Sequence, residues 1–372
     1  MAELLSKAFY ADDLLTGESS VSKAFKIYER SKEIMAKGGF NLKKWSSSSS
    51  EVLEKIEQVE SKRETEHVVS REDDESYAKS TTSQGTAMSS NIVKLPGVRW
   101  NTSTDTIFFD FVELQNYANS LPITKRSLLS LVAKIFDPLR LISPFTVTLK
   151  ILFQIACFDK VDWDQELVGE RKLKFLALRS EIIQLNSIRI PGYYFCKDTN
   201  TITVELHGFS DASKNAYAAV MYFRSIYSDG RVQITLVTAK TRVAPTKQQS
   251  ILRLELIGAL ILARSTRKIR DIIGEVDTTY WVDSTVALCW IKNDRCWKQY
   301  IRNRVAEIRS LTLKDSWRFC PGTENPADLP ARRLEAKELA TSETWWRGPD
   351  FLHHSPATWP SDMTAQEHLG DK

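Results

Sequence analysis

The sequence is poor in the residues that build zinc and redox centres. Its five cysteines form no Cys-x-x-Cys pair, and its five histidines show no zinc-ligand spacing beside them. Thiols scattered in this way read as reduced side chains of an intracellular protein. The N-terminus has no basic-then-apolar leader and carries Glu3, Asp12 and Asp13 instead. Long apolar runs are also missing: the most apolar window, Leu141 to Phe158, is broken by Ser143, Pro144, Lys150 and Gln154, which argues against a membrane span. No internal repeat is visible. What is present is a chain of 372 residues, long enough for two or three compact units. Lysine plus arginine number 51 against 47 acids, a basic excess that permits nucleic-acid binding without requiring it.

Composition and periodicity divide the chain. The first 45 residues read as strand, tight turn, strand and then the helix "VSKAFKIYERSKEIMAKGG", stopped by Gly38 and Gly39 and followed by a short strand "FNLKKW". From Ser46 to about Ser90 serine, glutamate, lysine and aspartate dominate, which predicts a long disordered insertion or linker. Two strands around "NTSTD" come next, then helical segments interrupted at Asp137-Pro138 and Ser143-Pro144, then one more amphipathic helix. From Thr201 three strands follow one another, "TITVELHGFSDA", "NAYAAVMYFRSIY" and "VQITLVTAKTRV". A helix over roughly Lys247 to Ile269, the strand "TTYWVDS", two further helices, the strand "SWRFCPG" and a helix opening at "NPADLPARR" complete this region.

Four acids in this last region stand where a solvated charge is not expected. Asp211 ends the first strand, Glu255 lies in the apolar helix "ILRLELIGALILA", Asp283 ends the fourth strand and Asp328 opens the last helix. An unpaired buried carboxylate costs several kcal/mol, so Glu255 calls for a cationic neighbour. A three-stranded meander, a helix packed across it and a further parallel strand bring Asp211, Glu255 and Asp283 together. Carboxylates so clustered raise one another's pKa unless a divalent ion sits among them, and oxygen-only ligands suit Mg²⁺ or Mn²⁺. Two such ions can activate water and stabilise the leaving oxygen in phosphodiester cleavage. Singly, each Asp reads as a turn or helix cap; the set of four in order outweighs that reading.

The stretches "LHGFSDASKNAYAAVMYFR", "TAKTRVAPTKQQSILRLELIGALILAR", "YWVDSTVALCWI", "NRVAEIRSLT" and "PGTENPADLPAR" together resemble the ribonuclease H region of Pao/BEL-type LTR-retrotransposon polyproteins. The resemblance implies an α/β fold, an RNase H-like mixed sheet with flanking helices. It also implies that Asp211, Glu255, Asp283 and Asp328 are the catalytic, metal-binding set. "FYADDLL" resembles the YxDD box of reverse transcriptases, which makes Asp12 and Asp13 the metal-binding pair of a palm whose earlier acidic strand and fingers do not precede Met1. "LPGVRWNTSTDTIFF" and "TKRSLLSLVAKIFDPLRLISP" resemble the connection region of the same polyproteins, with Arg140 where glycine is usual and Pro96 splitting a Leu-Gly pairing. That family domain has also been labelled a peptidase, but the Asp-Thr-Gly or Asp-Ser-Gly loop of an aspartic peptidase is missing.

The resemblance divides the chain into the C-terminal part of a reverse-transcriptase palm (1–45), a disordered polar linker (46–90), a connection region (91–200), an RNase H-like domain (201–335) and a tail toward an integrase region (336–372). Net charge is about +7 from Thr201 to Glu335 and about −5 from Glu51 to Ser80, so the basic excess lies beside the four acids. "RSTRKIR" and "KQYIRNR", with Trp290, Trp297 and Tyr300, are candidate phosphate and base contacts, weighed against a solvated basic face, with Trp290 itself read as core. His207 reads as structural before catalytic. The implied activity is two-metal hydrolysis of RNA in RNA·DNA hybrids beside an incomplete reverse transcriptase. The alternative is a decayed or co-opted nucleic-acid-binding protein without catalysis. Expected partners are the hybrid and other retrotransposon Pol and Gag segments, with no membrane, in a cytoplasmic virus-like particle or the nucleus.

Overall fold

A computed structural model describes residues 5, 8–10, 13–18, 20–67, 91–195, 201–332 and 334–361. The chain divides into two compact units, one of residues 1–95, 99–107 and 190–192, the other of residues 96–98, 108–189 and 193–372.

In the first unit β1 (Phe9–Tyr10) and β2 (Asp13–Leu14) form a small antiparallel hairpin, with Tyr10 opposite Asp13. Helix α1 (Val21–Lys37) starts at Ser20, whose side chain accepts the Lys23 N–H, and stops at the glycine pair, where Gly39 takes φ +81°. "FNLKKW" forms no strand. The segment from 46 onward departs further from expectation, because Ser50–His67 is helix α2. Its few apolar residues suffice: Val52 and Ile56 pack on Tyr28, and both Tyr28 and Lys32 bond Glu60. Composition alone underrated this segment because its apolar side chains are spaced one helical turn apart. Residues 68–90 lie outside the described residues. Strands β3 (Ile92–Leu95), β4 (Val98–Asn101), β5 (Thr106–Phe108) and β6 (Arg189–Pro191) form a sheet in that order. Asn101 Oδ1 accepts the Ser103 and Thr104 amides and so closes the "NTSTD" turn.

The second unit begins with helices α3 (Val112–Ser120), α4 (Lys125–Lys134), α5 (Ser143–Phe158) and α6 (Gly169–Glu181). A five-stranded mixed sheet follows, built from β7 (Thr201–Ala212), β8 (Ala216–Tyr227), β9 (Val232–Val243), β10 (Asp277–Val282) and β11 (Trp317–Phe319) in the order β11-β10-β7-β8-β9. The meander β7–β9 is antiparallel, while β10 runs parallel to β7 and β11 parallel to β10. Gly230, at φ +83°, makes the β8–β9 turn.

Helix α7 (Ile251–Ile273) lies across one sheet face, where Leu262 packs so close to Gly208 that a β-carbon there would come within 2.5 Å of its methyl group. Helices α8 (Thr285–Lys292) and α9 (Gln299–Leu311) add Ile291, Val305 and Ile308 to the same core. Then come α10 (Asp328–Arg332), α11 (Ala336–Thr341) and α12 (Glu343–Arg347).

The segment that followed 335 as a tail in the sequence reading is part of this packing. Trp345 and Leu352 are fully buried, the Trp345 indole donates to the Leu141 carbonyl at 2.8 Å, and the Phe351 ring packs at a tilt against Phe209 and Trp281. Among the described residues no helix is long and apolar enough to cross a membrane.

Candidate metal centre

Parallel pairing sets Val282 of β10 beside Ser210 of β7. The residues that follow, Asp283 and Asp211, therefore end neighbouring strands side by side. Helix α7 passes over the same strand ends because Gly258 allows it: a β-carbon at that position would stand 3.3 Å from the Asp211 carbonyl oxygen. Glu255 lies on α7 close to that contact. One ligand oxygen from each of Asp211, Glu255 and Asp283 lies within 4.8 Å of the other two.

Asp211 and Glu255 are 4% and 8% exposed, and Asp283 is half-buried. Among the described residues no lysine or arginine pairs with any of the three, so the cationic neighbour that Glu255 calls for is not a side chain. Asp211 Oδ2 and Asp283 Oδ1 are buried and accept no hydrogen bond. Burial first, and the negative charge of Asp283 second, push the Asp211 carboxyl up to about 8. The same two causes take Glu255 up to about 9, and burial raises Asp283 as well. Orphaned carboxylate oxygens converging on one point, with no nitrogen or sulfur among them, fit a hard divalent cation.

Two residues outside the sequence prediction hold this arrangement. Asn325, 3% exposed, donates from Nδ2 to the Ser210 carbonyl at 2.9 Å and accepts the Ala327 amide, so it pins the "NPAD" turn to the end of β7. Ser213 donates to the Ala331 carbonyl at 2.6 Å and ties the β7–β8 turn to α10. Their signal in the sequence was weak, since Asn before Pro and Ser after Asp are ordinary turn residues.

Three of the six predicted acids converge. Asp328 opens α10, where it pairs with Arg332 and acts on the other three only through its charge. Asp13 is exposed on β2 in the other unit, and Asp12 lies outside the described residues. His207 is structural: it is buried, Nδ1 accepts the Trp281 indole N–H at 3.2 Å, and Nε2 therefore carries the proton toward Glu205 at 3.1 Å. Burial keeps it neutral.

The first basic cluster is largely neutralised on its own surface, through Arg264–Glu307, Arg267–Asp271 and Arg270–Glu275. In the second, Tyr300 lies between the guanidinium groups of Arg253 and Arg304, at 4.7 and 3.5 Å from the ring centroid, while Lys298 and Arg302 are exposed. Trp290 packs against the core and meets Trp297 edge-on.

Residues 124–284 match the Pao retrotransposon-like RNaseH-like domain. The match begins at the N-cap of α4 and takes in Asp211, Glu255 and Asp283. No curated protein matches the chain. Solved structures similar to it include the N-terminal RNase H domain of a Mycobacterium tuberculosis protein, 14% identical over 38% of this chain and 99% of that one, with a TM-score of 0.26. RNase H1 of Halobacterium salinarum is 13% identical over 34% of this chain and 90% of its own, at 0.24. The foamy viral protease-reverse transcriptase in complex with RNA/DNA hybrid is 12% identical over 62% of this chain and 29% of its own, at 0.36. Strands β7 to β10 lie within the segment that matches the RNaseH-like domain, and the acidic trio stands at the C-terminal end of the parallel pair β7 and β10.

Proposed function

We propose that this chain is a retrotransposon Pol segment whose RNase H-like domain hydrolyses the RNA strand of RNA·DNA hybrids, with Asp211, Glu255 and Asp283 holding Mg²⁺ or Mn²⁺. The observation that carries this reading is the trio itself, three carboxylates within 4.8 Å, two of them buried, with no lysine or arginine among the described residues paired to them. A divalent ion bound there would polarise a phosphodiester oxygen and lower the pKa of water. The chain's own part is positional. Asn325 and Gly258 fix the strand ends and the helix so that the three oxygens meet, and burial excludes competing water from Asp211 and Glu255. Asp328 contributes negative potential at the rim, and the exposed Lys298 and Arg302 offer charge to a polyanion. Asp12 and Asp13 belong in this reading to the end of a reverse-transcriptase palm.

One observation favours a second reading, binding without cleavage: Asp328 is engaged by Arg332 and stands apart from the trio. The deciding experiment incubates the whole chain with a labelled RNA·DNA hybrid in Mg²⁺, Mn²⁺ or chelator, beside Asp211→Asn and Asp283→Asn. Cleavage is expected to require metal and to fall by about 10²–10³-fold in either variant. Intact hybrid binding with no cleavage in any metal would give the second reading instead.

A further inference from the structure

The α4–α5 connection, "FDPLRLISP", holds a strained residue. Arg140 adopts φ +60°, the left-handed region that favours glycine and penalises a side chain with a β-carbon. Strain of this kind persists where surrounding structure enforces it, and it gathers at binding sites. The Arg140 side chain lines a cavity of about 50 Å³, well above the 10–15 Å³ that one water needs.

The rest of the wall mixes apolar Val132, Ile135 and Leu149 with polar side chains. Ser143, in the first turn of α5, is 4% exposed and its Oγ has no hydrogen-bond partner. Thr241 of β9 brings a second buried hydroxyl without a partner. Leaving such groups unsatisfied is costly, so a ligand that bonds both is favoured. Lys150 of α5 also lines the cavity, and among the described residues neither it nor Arg140 makes an ion pair or a side-chain hydrogen bond. Burial, and next the charge of Arg140, hold the Lys150 ammonium below its ordinary pKa, which is the condition a bound anion would relieve. Asp137 is the one carboxylate in the wall, and its oxygens are taken by backbone: Oδ1 accepts the Leu141 amide at 3.0 Å and Oδ2 the Ile142 amide at 2.9 Å. Two cations without a direct ion pair, one of them the exposed Arg140, and two hydroxyls without a partner therefore line the space, with the Asp137 charge close enough to act on both cations.

We propose that this cavity is a phosphate-type oxyanion site, in which Arg140 and Lys150 supply charge and Ser143 and Thr241 supply hydrogen bonds. Its place in the sheet suggests the source of the phosphate. Asp211 lies opposite Ala218, and Ala218 opposite Thr241, so the three share one row across β7, β8 and β9 and point to one face. Two strand spacings separate the acidic trio from Thr241, about 10 Å. A nucleic-acid strand engaged at the trio could seat a nearby backbone phosphate here. That assignment of the source rests on the proposed nuclease reading, whereas the oxyanion site does not.

The test uses the full chain in chelator, with inorganic phosphate as the probe in titration calorimetry. Wild type is expected to bind phosphate saturably. Arg140→Gly relieves the backbone, so its thermal midpoint should stay level or rise, while phosphate affinity falls about tenfold or more. Ser143→Ala should weaken binding by a few-fold. A second arm measures metal-free binding of an RNA·DNA hybrid. Loss of hybrid affinity in Arg140→Gly, with competition by phosphate, identifies a backbone phosphate as the ligand. Unchanged hybrid affinity beside lost phosphate binding identifies free phosphate or a phosphomonoester. No saturable phosphate binding by the folded wild type, or equal binding by Arg140→Gly, overturns the proposal and leaves a water-filled cavity. Absence of nuclease activity bears on none of these outcomes.

Discussion

Glu205 and Asp211 lie on the same strand, both largely withdrawn from water, and the fold treats them in opposite ways. Glu205 receives the His207 Nε2–H at 3.1 Å and the Arg224 guanidinium at 3.0 Å, and these partners, His207 first, hold its carboxyl below the ordinary range. Arg224 in turn donates to the Leu352 and His354 carbonyls at 2.8 and 3.1 Å, so the network closes on the C-terminal segment. Asp211 has two more acids for neighbours and an oxygen with no partner. Burial alone therefore does not mark a functional carboxylate; the missing counter-charge does.

The comparison can be broken most severely from the Glu205 side. Ending the chain after Glu335 removes Trp345, Phe351 and Leu352 from the core, at about 1.5–3 kcal/mol each, and strips Arg224 of two acceptors. That loss rivals the whole stability of an ordinary domain, about 5–15 kcal/mol, so the truncated chain is expected to lose its cooperative thermal transition by circular dichroism. An unchanged midpoint would show that the segment after 335 merely rests on the sheet. Arg224→Met is the next largest effect. It leaves Glu205 beside His207 without a cation and should cost about 3–5 kcal/mol in urea unfolding; a cost below 1 kcal/mol would mean that the network adds little.

These contrasts also explain what was legible in advance. Strand alternation and turn residues located β7 to β11 and α7, and the order of Asp211, Glu255 and Asp283 along them was enough to foresee their meeting, because parallel pairing of β10 with β7 permits few other arrangements. Asp328 was harder to place: its separation from the trio depends on a side-chain choice, pairing with Arg332, that spacing does not determine. The same holds for Glu205, which reads as a surface acid until Arg224 and His207 are seen beside it. Helix α2 was obscured because three apolar contacts, Val52, Ile56 and Val59, in a polar segment are invisible to composition, and the role of residues 343–361 because Trp345 and Leu352 find their partners, Leu141, Tyr222 and Arg224, far back in the chain.

The acidic side makes a prediction in pH. Asp211 moves from an ordinary 3.8 to about 8, and Glu255 from 4.5 to about 9. The unfolded chain releases these protons near pH 4, whereas the metal-free fold keeps them to about pH 8, so between those limits the folded state binds more protons and its stability falls as pH rises. Each retained proton corresponds to about 1.4 kcal/mol per pH unit, or about 4 kcal/mol per acid from pH 5 to 8. Thermal midpoints in chelator should fall across that window, and Mn²⁺ should reverse the slope because its ligands bind ionised. A flat profile in chelator would mean that the three acids are already compensated.

The smallest effect is also the most selective, since it applies one substitution type to both carboxylates. At pH 8 in chelator, Glu205→Gln removes the charge facing Arg224 and should cost about 1–3 kcal/mol. Asp211→Asn replaces a carboxyl that burial and Asp283 already hold about half-protonated at this pH and places an amide donor beside the orphaned Asp283 oxygen, so its stability should hold or rise by about 1 kcal/mol. Adding Mn²⁺ should then stabilise wild type and Glu205→Gln but leave Asp211→Asn unmoved. Equal destabilisation by the two substitutions would remove the distinction between the sites, and with it the reason to place a metal at Asp211.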